Sequence, residues 1–138
     1  MSAEQISKIQ PVRSELSAPY WDGCAVGELR LQQCSQCGEY QFYPRIMCSH
    51  CGSKTLNWQR VSGRGSVESF TVVRRGLSDA YSVPYVVALI RLAEGPVMMS
   101  QVVNADIEQI AVGAGAQVAF QDWGDGVTAP VFNLLPEV

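Results

Sequence analysis

Five cysteines carry most of the chemistry available to this chain of 138 residues, and four of them form two close pairs, Cys34-Ser-Gln-Cys37 and Cys48-Ser-His-Cys51. Two intervening residues let one tight turn aim both sulfurs at a single point. The glycine directly after each pair, Gly38 and Gly52, accepts the positive backbone angle that such a turn requires. Two of these knuckles complete a tetrahedron of thiolates. That set satisfies zinc with no position left for water or substrate, so the expected role of Cys34, Cys37, Cys48 and Cys51 is to hold one structural Zn2+. Iron accepts the same four ligands, and rubredoxin-like electron carriers use similar knuckles. Against that alternative, more than eighty residues follow Cys51, far beyond what an electron-carrying ribbon needs.

The remaining chemistry is thin. His50, the one histidine, lies inside the second knuckle and reads as an exposed non-ligand, because the four-cysteine set is already complete. Cys24 lies three residues from Trp21 on one helical face and reads as a small buried apolar residue. No nearby histidine or helix start would activate it as a nucleophile. No residue is expected to be catalytic, and any reaction would belong to a partner.

Net charge is −3, unevenly spread. Between Leu29 and Arg75 seven basic residues face only Glu39 and Glu68, whereas no Lys or Arg follows Arg91. A solvated surface accounts for most such runs; a basic middle segment also suits an anionic ligand. An OB barrel (a five-stranded Greek-key barrel) that binds single-stranded nucleic acid is a rival reading, but it calls for a basic groove with stacking aromatics, and the strands after Arg91 are acidic.

Three segments must position these groups. Residues 1–27 form an N-terminal helical segment, with Ser17 as N-cap, Pro19 in the first turn and an end near Gly27. Residues 28–56 form a zinc ribbon of short hairpins, with Leu29 and Leu31 on one side and Tyr40 and Phe42 on the other. So small a module needs its metal in place of a core. Residues 57–138 read as five Val-rich strands, at 65–73, 85–92, 96–103, 116–123 and 129–134, separated by glycine-rich turns. Asp106 to Gln109 resembles a capping box opening a short helical turn that Gly113 would stop. Five strands with a helical turn after the third is the order of an OB-fold barrel, so the fold class is mainly β. The loop from Arg74 to Pro84 joins the first two barrel strands and is long for a hairpin. Arg74 and Arg75 at its start and Tyr81 and Tyr85 at its end are candidate contacts to a ligand or partner. The longest apolar stretches are far too short to span a bilayer, and Glu4, Lys8 and Arg13 stand where a signal peptide would be apolar, which suggests a cytoplasmic protein.

The order Pro19-Tyr-Trp21, Gly27-x-Leu29-x-Leu31-x-x-Cys34-x-x-Cys37-Gly, Tyr43-Pro-Arg45 and Cys48-x-x-Cys51-Gly-Ser53 resembles the DUF35 family. Trp58, Ser62-Gly63-x-Gly65, Ser69-Phe-Thr71-Val-Val73, Pro84-Tyr85-Val-Val-Ala88 and Gly95-Pro96 continue the resemblance over nearly the whole chain after the first dozen residues. It implies a rubredoxin-like zinc ribbon joined to an OB-fold. It also implies a non-catalytic accessory subunit that binds a thiolase-fold enzyme, with an aldolase or hydratase subunit as alternatives, and helps form or stabilise an acyl-CoA site. Coenzyme A or acyl-CoA would then be bound together with the partner. The four ribbon cysteines carry over directly, and no catalytic residue does.

Overall fold

A computed structural model describes residues 8–136. Glu4, used above against a signal peptide, lies outside the described residues. The described residues begin with a strap that has no regular secondary structure, followed by one helix, α1 (Ala18–Ala25). Pro19 sits in its first turn, where the missing N–H costs nothing and the ring presets the helical φ. Ser17 stands at the N-cap, but its hydroxyl does not cap the helix. It accepts from the Ser14 backbone N–H at 2.9 Å instead, while the Ser17 carbonyl accepts from Tyr20 and Trp21 at 3.0 and 3.3 Å. The short helix buries Tyr20, Gly23 and Cys24.

A three-stranded antiparallel sheet follows, ordered β2-β1-β3, from β1 (Arg30–Cys34), β2 (Tyr40–Gln41) and β3 (Leu56–Arg60). The expected hairpins thus gain a third strand that sequence reading did not pick out. It pairs along the whole of β1, from Arg30 opposite Arg60 to Cys34 opposite Leu56.

The rest closes into a barrel of β4 (Arg64–Val73), β5 (Tyr85–Leu92), β6 (Val97–Val102), β7 (Gly115–Asp122) and β8 (Thr128–Leu134), ordered β4-β5-β6-β8-β7. β7 returns antiparallel onto β4, and β6 meets β8 in parallel where Val102 lies beside Phe132. Strict alternation puts Val86, Ala88, Ile90 and Leu92 of β5 inside, which explains the Val- and Leu-rich odd–even pattern of that strand. Between β6 and β7 the expected helical turn is a 3-10 turn, Ile107–Gln109. The Asp106 carboxylate accepts from the Glu108 backbone N–H at 3.1 Å, and Ile110 is already extended, so the turn stops before Gly113.

One core serves all of these elements. Tyr20 and Cys24 from α1, Leu29 and Leu31 from the ribbon, and Ile90, Met98 and Phe132 from the barrel belong to a single buried cluster. Ribbon and barrel therefore share apolar burial, which explains how a three-stranded sheet too small for its own core is held. Among the described residues no helix is long and apolar enough to cross a membrane.

Candidate metal centre and apolar cleft

The two knuckles are built alike. Gly38 donates to the Cys34 carbonyl at 2.8 Å and Gly52 to that of Cys48 at 3.0 Å, with φ of 78° and 77° at the two glycines. A side chain at either would have to adopt the left-handed region. The turns bring the sulfurs of Cys34, Cys37, Cys48 and Cys51 within 4.8 Å of one another. Cys34 lies 3.6 Å from Cys51, and Cys37 lies 3.6 Å from Cys48. An ion roughly 2.3 Å from four tetrahedral sulfurs sets them about 3.8 Å apart, so the cluster fits zinc and is far too open for a disulfide. His50 stays out of it: its ring Nε2 lies 3.3 Å from the Tyr40 carbonyl oxygen.

Backbone dipoles prepare the cluster for a cation. The Cys37 backbone N–H, aimed at Cys34 and aided by the Thr55 hydroxyl, outweighs desolvation and brings the Cys34 thiol down to about 6. Desolvation opposes ionisation of Cys48, but the N–H groups of Cys51 and His50 prevail and lower it. The second member of each pair behaves oppositely. The Glu39 N–H favours the Cys37 thiolate, yet desolvation and the neighbouring sulfurs outweigh it and push that thiol up to about 12. Cys51 is raised too, because desolvation and its neighbours outweigh the Ser53 N–H. Without a cation, protons thus collect on Cys37 and Cys51.

Two buried glutamines clamp the second knuckle to the sheet. Gln32 Nε2 donates to the Arg45 carbonyl, and Gln32 Oε1 accepts from the Arg45 N–H, both at 2.9 Å. Gln41 donates to Gln32 Oε1 and accepts from the Ser49 N–H, both at 2.8 Å. Sequence reading missed this pair, whose only signal is two uncharged polar residues at inward strand positions.

The contact residues expected around the long loop are divided. Tyr81 and Tyr85 come together, with ring centroids 6.2 Å apart, and the Tyr81 hydroxyl accepts from the Ile9 N–H of the strap at 2.9 Å. Arg74 and Arg75 are exposed and, among the described residues, have no acidic partner. Cys24 is buried, and desolvation pushes its thiol up to about 12, so it is inert at neutral pH.

A cleft of about 570 Å³ opens where the strap, α1, the ribbon and the barrel meet. Trp21, Tyr20, Phe42 and Tyr43 pack edge to face in series along it, with centroids 4.9 to 5.7 Å apart. Met99 and Trp123 of the barrel line it as well. Its walls come from four separate stretches of sequence, within residues 9–21, 42–44, 99–101 and 123–131, which is why local pattern does not announce it.

Comparison with known proteins matches two successive domain models to the chain. Residues 21–57 match the model of the rubredoxin-like zinc ribbon domain of ChsH2, and residues 58–121 match that of the ChsH2 C-terminal OB-fold domain. A DUF35 domain-containing scaffold protein of Methanothermobacter thermautotrophicus is 32% identical over 111 residues, covering 76% of this chain and 84% of the relative. The 3-oxo-4,17-pregnadiene-20-carboxyl-CoA hydratase alpha subunit of Mycobacterium tuberculosis is 32% identical over 117 residues, covering 85% of this chain. The match spans only 37% of that longer subunit. Among solved structures, a chain of the Ltp2-ChsH2(DUF35) aldolase superposes with a TM-score of 0.83 at 27% identity, covering 91% of this chain and 98% of that one. With the ribbon, the closed barrel and a relative matched over most of its length, the chain belongs to the DUF35 family.

Proposed function

We propose that this chain is a non-catalytic accessory subunit of an acyl-CoA enzyme in the cytoplasm. It docks on a catalytic partner and helps to form or stabilise that partner's acyl-CoA site. The partner placed first is a thiolase-fold subunit, with an aldolase or hydratase subunit as alternatives; the likeness to a chain of an aldolase and to a hydratase alpha subunit supports those two. In this proposal Cys34, Cys37, Cys48 and Cys51 hold one structural zinc ion that fixes the ribbon. Arg74, Arg75, Tyr81 and Tyr85 contact partner or ligand, with the arginines suited to the phosphates of coenzyme A. The observation that carries the reading is the fold-wide match to the DUF35-containing aldolase, which leaves almost none of that chain uncovered. The chemistry of the side chains agrees. The knuckle sulfurs form a closed set, Cys24 is buried and protonated, and His50 rests against a backbone carbonyl.

The test is purification of the tagged chain from its native host, with mass spectrometry of what accompanies it and metal analysis of the same eluate. About one zinc per chain together with an acyl-CoA enzyme in fixed ratio is the expected result. Iron with a redox partner, or nucleic acid without an enzyme, would overturn it.

A further inference from the structure

The four knuckle cysteines are not equivalent. Cys34 and Cys48, the first of each pair, are 0% and 3% exposed, whereas Cys37 and Cys51 are exposed at the surface. Each buried sulfur also has a donor of its own. The His50 backbone N–H donates to Cys48 Sγ at 3.3 Å, and the Thr55 hydroxyl lies 3.6 Å from Cys34 Sγ. Ser53 orients that hydroxyl, because its Oγ accepts from the Thr55 N–H at 3.1 Å and turns its own proton to Thr55 Oγ1. The Thr55 proton is then left for the sulfur. A thiolate whose charge is held by such donors is a weaker nucleophile than one without them.

The short contacts between sulfurs follow the same asymmetry. Both cross from one knuckle to the other and join an exposed cysteine to a buried one, Cys37 to Cys48 and Cys51 to Cys34, each at 3.6 Å. An accessible thiolate beside a second sulfur is the arrangement in which oxidation to a sulfenic acid goes on to a disulfide.

We propose that Cys37 and Cys51 are peroxide-sensitive modification sites, each resolved by the buried cysteine of the other knuckle, so that oxidation opens the metal centre. This rests on the zinc ion of the proposed function but on neither the partner nor acyl-CoA. Cysteines that ligate zinc are thiolates. The Cys37 sulfur attacks a peroxide oxygen; an S–O bond forms, the O–O bond breaks and hydroxide leaves. Cys48 then attacks the sulfenic sulfur; an S–S bond forms, the S–O bond breaks and a second hydroxide leaves. Two thiolates lose two electrons between them, and one peroxide is reduced to two hydroxides. Cys51 and Cys34 follow the same course from the other side. Either disulfide leaves two sulfurs where four held the ion. The loss reaches the sheet directly, because Cys34 ends β1 opposite Leu56 of β3.

The test uses the full-length chain, with its zinc content measured first. Iodoacetamide is added at a conversion low enough that each chain carries one label, and the labelled sites are mapped by mass spectrometry. Cys37 and Cys51 should carry about ten times the label of Cys34 and Cys48. Hydrogen peroxide should then release zinc to a chromophoric chelator in step with disulfide formation, and the disulfides should join Cys37 to Cys48 or Cys34 to Cys51. Dithiothreitol with added zinc should restore the centre, and Cys24→Ala should behave as the wild type, since that buried thiol takes no part. Label spread evenly or led by the buried pair would overturn the proposal. So would disulfides within one knuckle, or zinc retained in excess peroxide. A chain that carries no zinc before treatment would instead overturn the zinc reading, and this proposal with it.

Discussion

Cys48 is almost wholly buried and Cys37 exposed, yet both should be indispensable if the four sulfurs share one ion. Replacing either with serine should abolish tight zinc retention, read as metal content after gel filtration. Cys24→Ala should keep one zinc per chain and cost only about 1 kcal/mol of stability in a denaturant titration. The thiol pKa values fix the sign of the pH dependence. Near neutrality the empty cluster holds its protons on Cys37 and Cys51, while Cys34 and Cys48 are lowered. Zinc binding should therefore release protons, those of Cys37 and Cys51 among them, and the zinc dissociation constant should rise as the pH falls through neutrality. Competition with a chromophoric chelator at several pH values measures that slope. The knuckles were legible because the constraint is local: two residues and a glycine determine each turn. The cleft was not, because its lining is drawn from residues as distant as Phe42 and Trp123.

At the scale of elements, the glutamine clamp links β1, β2 and the second knuckle. Gln32→Leu removes partners from Gln41 and from both backbone groups of Arg45. It should cost about 1–3 kcal/mol for each buried group left unpaired. Zinc release to a chelator should quicken at the same time, whereas Gln59→Leu, at an exposed position of β3, should do neither. The barrel strands could be read in sequence because inward and outward positions alternate, as Tyr85–Leu92 shows. β3 resisted such reading because its pairing with β1 spans both knuckles and more than twenty intervening residues. At Ser17 the position was legible but the bond was not. A nearby hydroxyl and N–H of Ser14 compete for the Ser17 oxygen, and sequence alone does not say which acceptor geometry wins.

Over the whole molecule, the shared core predicts that ribbon and barrel unfold together. Stripping zinc should lower the melting temperature of the barrel as well as the ribbon, seen as one transition by far-ultraviolet circular dichroism and by tryptophan fluorescence. Separate transitions would mean that the buried cluster joining Leu29 and Leu31 to Phe132 contributes little. Phe132→Ala, at the closure of β6 and β8, should cost about 3–5 kcal/mol and destabilise both parts. The measurement that tests the accessory-subunit account most directly is reconstitution of the co-purifying enzyme with and without this chain, assayed on an acyl-CoA substrate. The account predicts that the chain alone is inactive and that adding it, zinc-loaded, raises or stabilises the partner's activity in a fixed ratio. Turnover by the isolated chain, or a partner whose activity and lifetime are indifferent to it, would contradict the account.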